Sequence, residues 1–366
     1  MKLQITQNKL SKALSIASRI ATPKAGLPIL NNILLRTDKS SLTISSTNLE
    51  VAIIESIPAE ISKPGSITIP AKLLAEFINN LPNKPITLEV IKGNLKITSD
   101  QYKSTINGID SDDFPELPIL DEEKVVSFII PTDEFKEAIT QTIVTGSNDT
   151  TRPALIGVYF NTFENDLFIA ATDGYRLAER KFIENVADDI ALIVPISSLQ
   201  EVLRSLSEEI TEIKILFDEN QVKFQLNSIE ITSKIIDSNF PNYRQLIPKT
   251  TDVNIILNTS EFLRVTKLSS LFARESGGSI IIETNSKDNN LIISSVASEV
   301  GENNSTISVD VDTDSKITLS SRFLIDALNH VSDSEIKFGF SGKLAPVVVK
   351  NSKIDNYTHI IMPLKS

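Results

Sequence analysis

The sequence predicts an α+β protein made of three copies of one unit, each with two helices packed on β-sheet. Three observations carry this. Apolar positions recur about every 125 residues, a second helical stripe keeps nearly the same step, and alternating strand-like runs fill the chain between them. A long period of this kind signals one supersecondary unit repeated, so the arrangement of copies can itself be the function.

The first helix signal lies in 69–78, 194–203 and 319–328. Stepping by 125 links Leu74, Leu199 and Leu324. Phe77, Val202 and Ala327 follow in register, then Ile78, Leu203 and Leu328, then Leu81, Leu206 and Val331. The spacing i, i+3, i+4, i+7 is that of one apolar helix face. A second helix is predicted over 8–20, 133–144 and 260–272, with Leu10, Phe135 and Phe262 opening its stripe at spacings of 125 and 127. Thr132-Asp133 and Thr259-Ser260 offer oxygen acceptors just ahead of two of these helices, where backbone N–H groups lack partners.

Strands are predicted where apolar and polar residues alternate: 66–69, 86–90 and 95–98 in the first copy, 213–217 and 222–226 in the second, 335–338 and 347–349 in the third. Lys92-Gly93-Asn94 reads as a hairpin turn. Boundaries are expected in the acidic, proline-containing stretch 110–124 and in Pro248-Lys249-Thr250-Thr251-Asp252, giving domains 1–123, 124–250 and 251–366.

Composition narrows the function. The chain has 366 residues, 36 Lys and Arg against 47 Asp and Glu, and a net charge of -11. That balance argues against a protein that merely coats nucleic acid, though not against a local basic surface. The six predicted helices, together with Arg204, Arg274 and Glu275 just past their ends, hold ten basic and eight acidic residues, so the negative charge lies elsewhere. There is no cysteine, which excludes disulfides and Cys-ligated metal. No cofactor or metal is expected. Met1–Gln7 alternates like a strand rather than showing the apolar core of a signal peptide, and the longest apolar run, 190–196, is too short to span a bilayer. A cytoplasmic protein is expected, with no membrane partner.

The catalytic inventory is poor. His330 and His359 are the two histidines, read as structural, and no phosphate loop, His-Glu-x-x-His or Gly-x-Ser-x-Gly occurs. The nearest thing to a site motif is Ala170-Ala171-Thr172-Asp173-Gly174-Tyr175-Arg176-Leu177. Asp173-Gly174 reads as a tight turn between strands, since Gly accepts positive φ. An enzyme needs a convergent acid–base or phosphate-binding set, and a secreted repeat protein needs an export signal; neither is found.

At this motif the chain resembles the bacterial DNA polymerase III beta subunit family, the replicative sliding clamps. The likeness runs through Met1-Lys2-Leu3, Leu27-Pro28-Ile29-Leu30-Asn31-Asn32, Asp113-Phe114-Pro115, Arg152-Pro153-Ala154-Leu155-Ile156-Gly157-Val158, Ala171-Thr172-Asp173-Gly174-Tyr175-Arg176-Leu177-Ala178, Asn239-Phe240-Pro241-Asn242-Tyr243-Arg244 and Met362-Pro363-Leu364. It implies a DNA clamp fold closing as a head-to-tail homodimeric ring around duplex DNA, non-catalytic by itself and without sequence readout. Three copies in each of two chains would make a pseudo-six-fold ring lined by twelve helices. The implied partners are duplex DNA, a second copy of the chain, the polymerase III catalytic subunit, the clamp loader and other proteins with clamp-binding linear motifs. The resemblance further implies DNA contacts at Lys24, Lys72 and Arg152, and ring closure between Ile106 of one chain and Leu271-Phe272 of the other. It implies a peptide groove of Leu155, Thr172, Gly174, Tyr175, Arg176, Leu177, Pro241, Leu246, Leu344, Pro346, Ile360, Met362, Pro363 and Leu364, taking motifs with Leu or Phe anchors. Tyr175 stands where many relatives have His, Gln245 where Arg is frequent, and Lys365-Ser366 where the usual terminus is of Arg-Leu type.

Overall fold

The computed structural model describes residues 1–22, 26–120, 125–297 and 301–365. Six helices appear where the two periodic stripes predict them: α1 (Gln7–Ile20), α2 (Ala71–Asn79), α3 (Thr132–Ile143), α4 (Ile196–Ser205), α5 (Thr259–Phe272) and α6 (Ser321–His330). The repeated positions Leu74, Leu199 and Leu324 are fully buried, as are Leu10, Phe135 and Phe262. Burying a leucine side chain contributes about 1.5–3 kcal/mol, so the repeat marks the anchors that hold the helices to the sheets.

Both capping expectations are corrected. Helix α3 starts at Thr132 itself, whose buried hydroxyl makes no hydrogen bond among the described residues. Helix α5 starts at Thr259, one residue early, so the capping residue is Asn258. Its side chain accepts from the Glu261 N–H at 3.0 Å. Thr259 instead donates its hydroxyl to the Asp333 carbonyl. The hairpin turn is as expected: Ile91 pairs with Asn94, and Lys92 and Gly93 both take positive φ, 48° and 78°. Such two-residue turns match the twist of the flanking strands.

The described chain forms two compact units, Met1–Asp133 with Ser197–Ile235, and Glu134–Ile196 with Ile236–Ser366. In the first, a five-stranded sheet runs Glu60–Lys63, Lys2–Thr6, Pro85–Ile91, Asn94–Ser99, Tyr102–Asn107. Its eight-stranded sheet joins two parts of the chain where Ile229–Ser233 pairs antiparallel with Val51–Glu55. Leu3, Leu10, Leu14, Leu74, Ile78 and Leu88 share its core.

The second unit repeats the plan. A four-stranded sheet runs Gly301–Ser308, Asn290–Ala297, Ser279–Asn285, Ser315–Ser320. Its eight-stranded sheet runs Ala191–Pro195, Gly157–Phe163, Asp166–Thr172, Arg176–Ile183, Tyr357–Ile361, Val347–Asn351, Glu335–Phe340, Val253–Asn258. The two parts of this unit meet where Arg176–Arg180 pairs with Tyr357–Ile361. Each joint hydrogen-bonds a strand that would otherwise be a free edge. Phe262, Leu324, Phe338 and Phe340 lie in its core.

Candidate peptide groove and nucleic-acid face

The Asp173-Gly174 turn organises the candidate groove. Gly174 has φ +91°, a region that L side chains rarely adopt. The Asp173 carboxylate accepts from the backbone N–H groups of Tyr175 and Arg176 at 2.9 and 3.0 Å. Thr172 donates its hydroxyl to the Arg176 carbonyl and accepts from the Gly174 N–H. These bonds leave Tyr175 at the tip, 66% exposed. Its carbonyl accepts from the Met362 N–H at 2.8 Å, and the Leu364 N–H reaches the Thr318 carbonyl at 2.8 Å. The turn and the C-terminal segment are thereby tied together.

Arg176 is buried and already committed. Its guanidinium donates to Asp173 at 3.0 Å and to Asp326 of α6 at 2.6 Å, and lies 4.5 Å from the Phe323 ring centre. It therefore fixes the turn against α6. Leu177 pairs with Ile360, and both pack with Val348 and Tyr243, flanked by Phe240 and Ile247. Val347 opposite Ile361 sets Pro346 beside Met362. Leu155, Thr172, Arg176, Leu177 and Ile360 are all buried within their own chain. They are interior residues, of which Leu177 and Ile360 pack together, while Tyr175, Pro241, Leu246 and the half-buried Met362, Pro363 and Leu364 reach the surface. Leu344, two residues before Pro346, is 75% exposed.

Beneath this surface Tyr243 donates to Glu179, whose carboxylate lies 2.9 Å from the Arg244 guanidinium. That guanidinium lies in the corner of the edge-to-face pair Phe163 and Phe168, 3.9 and 4.2 Å from the ring centres. Burial raises the Glu179 carboxyl, with Tyr243 and Arg244 pulling it back down. Burial first, then Glu179, raises the Tyr243 phenol. This network escapes the sequence reading because Tyr243 and Arg244, on a short 3-10 turn, reach Glu179 only by tertiary packing across 64 positions. His359 is fully buried, with Nδ1 2.9 Å from the Tyr357 hydroxyl. Desolvation lowers it to about 3, so it stays neutral. Among the described residues no cluster of His, Asp or Glu could hold a metal ion.

Of the expected DNA contacts, Lys24 lies outside the described residues. Lys72 is exposed near the start of α2. Arg152 is exposed and lies at the turn: its Nη1 is 3.8 Å from where a Gly174 side chain would begin. Lys9, Lys12 and Arg204 in the first unit, and Lys136, Arg264, Lys267 and Arg322 in the second, are exposed helix cations. Arg19 and Arg204 share Glu201, at 2.8 and 2.5 Å, and Arg264 lies 3.9 Å from Glu261. Of the expected ring-closing residues, Leu271 is 52% exposed and Phe272 half-buried. Ile106 is different. It sits in an edge strand, yet its side chain is 6% exposed and belongs to the core of the first unit. That strand exposes its backbone edge and the side chains of Tyr102, Lys103, Thr105 and Asn107.

Three family models match the chain in order. The DNA polymerase III beta subunit N-terminal domain matches 1–118, its central domain 129–242 and its C-terminal domain 244–365. The chain belongs to the DNA polymerase III beta subunit family. Within that family it is similar to the beta sliding clamp of Bacillus subtilis, 28% identical with both chains fully covered. The beta sliding clamp of Staphylococcus aureus is likewise 28% identical over the full length of both. The crystal structure of the Bacillus subtilis DNA polymerase sliding clamp superposes with a TM-score of 0.95 at 27% identity, covering 100% of this chain and 99% of the other. The fold is thus the three-domain clamp fold of the beta subunits.

Proposed function

We propose that the chain is a sliding clamp for DNA replication: two copies close head to tail around duplex DNA and tether the replicative polymerase, with no catalysis of their own. The observation carrying this is the ordered match of all three beta-subunit domains along nearly the whole chain. The domains are 1–123, 124–250 and 251–366. Exposed helix cations, with Lys24, Lys72 and Arg152, meet phosphates without reading bases. Topology, rather than affinity, retains the ring, which is compatible with a net charge of -11. The polymerase catalytic subunit, the clamp loader and other motif-bearing proteins take turns in the groove around Tyr175 and Met362, in the cytoplasm. The test is retention on nicked circular DNA by gel filtration after loading. The complex should survive 0.5 M salt and be lost when the circle is linearised. Equal loss before and after linearisation would reject encirclement.

Ring closure rests on the exposed end of α5 and the edge strand Tyr102–Asn107. Leu271→Ala with Phe272→Ala is expected to give a folded monomer by light scattering, with unchanged circular dichroism. Ile106→Ala should chiefly lower stability, by about 2–4 kcal/mol for a buried branched side chain. A dimer of unchanged mass in the double variant would remove α5 from the interface.

A further inference from the structure

Next to Leu177 and Ile360 the eight-stranded sheet of the second unit carries a cationic ledge. Thr172, Leu177, Ile360, Val348, Gly339 and Asn254 form one cross-strand row, each opposite the next. The neighbouring row on the same face runs Glu179, Thr358, Lys350, Lys337, Ile256. Lys337 and Lys350 are therefore direct cross-strand partners, an arrangement that destabilises a sheet unless an anion sits between the charges. Lys249 joins them at the rim of a cavity of about 370 Å³, with Thr250, Thr251 and Asn254 as neighbouring polar groups.

The local chain is built around this cavity. Gly339 leaves space that Thr251 enters: a side chain at Gly339 would meet the Thr251 hydroxyl at 2.5 Å. Thr251 donates to the Asn254 side chain, which donates back to the Thr251 carbonyl. Lys350 is ion-paired to Asp355 at 3.0 Å and also feels the Glu179 carboxylate, whereas among the described residues Lys249 and Lys337 make no ion pair. Glu179 in the same row and Asp355 both act on Lys350, so the uncompensated charge of the hollow rests on Lys249 and Lys337.

We infer that the ledge formed by Lys249, Lys337 and Lys350 binds an acidic segment flanking the apolar anchors of groove-bound partner peptides. The inference rests on the groove reading above. Two features join the ledge to the groove. Val348 packs with Leu177 and Ile360 and also lines the cavity, and the segment from Leu246 to Thr251 passes from one to the other. Strands lie about 4.8 Å apart, so Gly339 is about 10 Å from Ile360, the span of about three extended residues. The acidic side chains therefore fall about two to four positions from the nearest anchor. Lysines here act as point charges over a solvated hollow, so the interaction is screened by salt.

The test compares two fluorescent peptides with the same Leu and Phe anchors, one flanked by Asp-Glu-Asp and one by Ser-Gly-Ser. They are titrated into the full-length protein and into the Lys249→Ser, Lys337→Thr variant. The acidic flank should tighten binding about five- to tenfold at 50 mM salt and by less than twofold at 0.5 M. In the variant the two peptides should bind alike, with the neutral peptide unchanged from wild type. Equal affinities on the wild type, or an advantage surviving in the variant, overturns the inference. Failure of the neutral peptide to bind rejects the groove itself; salt-sensitive binding of the acidic peptide that the variant loses would still uphold the ledge. Displacement of the acidic flank's whole advantage by 1 mM inorganic phosphate would show a free-anion site and overturn the peptide assignment.

Discussion

Replacing Arg176 with Met should lower the unfolding free energy by about 3–5 kcal/mol, the usual cost of breaking a buried ion pair from one side. Arg176 is 7% exposed, while Asp173 and Asp326 remain substantially enclosed and would lose their shared cation. Asp173 also holds two backbone N–H groups of the turn, so the loss should spread to Tyr175 and the Met362 contact. Urea unfolding measures the stability, and hydrogen exchange at Tyr175 and Met362 reads the spread. A loss under 1 kcal/mol would mean that water replaces the guanidinium at little cost.

A second large effect is expected at Glu55. Its carboxyl is 7% exposed, with Oε2 unpartnered, and it lines a cavity of about 530 Å³. Lys12, Arg204 and Glu209 are the charged groups facing the same space. Desolvation raises this acid from 4.5 to about 7. The folded state then keeps a proton that the unfolded chain releases between pH 4.5 and 7. Stability contributed here is present below pH 4.5, falls as pH rises through 7, and is flat above. Glu55→Gln should match the wild type near pH 5 and exceed it by about 2–3 kcal/mol at pH 8. His359 works in the opposite sense. Its pKa is depressed on folding, so it costs stability as pH falls below 6.5. That slope is common to both proteins and cancels in their difference. A difference independent of pH would show that Glu55 is ionised or solvated throughout.

Much of the fold is legible in one dimension because helix periodicity is local. Leu74, Leu199 and Leu324 announce their helices within ten residues and need no knowledge of partners. The α5 cap is misread by one residue because Thr259 and Asn258 are both competent acceptors, and only the backbone decides which lies ahead of the first turn. The Asp173-Gly174 turn is legible because its glycine and carboxylate act on immediate neighbours. The burial of Ile106, Leu177 and Ile360 is not, since an apolar residue in a strand reads the same toward core or groove. Nor is the Tyr243–Glu179–Arg244 network, whose members meet through long-range packing. The commitment of Arg176 to α6 spans 150 positions, beyond any local pattern.

The joints between chain segments have a consequence for how the polypeptide can be cut. Passing from residue 1 to 366, the backbone leaves one compact unit for the other at 133, 196 and 235. Neither unit is a continuous stretch, so no single cleavage separates them. A chain nicked within 110–124 would still hold its N-terminal piece through the ladder between Val51–Glu55 and Ile229–Ser233. The isolated stretch 124–250, by contrast, would expose Ile229–Lys234 and Arg176–Ile183 as two long bare edges, each a template for pairing with other chains. The repeat visible in the sequence is therefore not the piece that can be expressed alone.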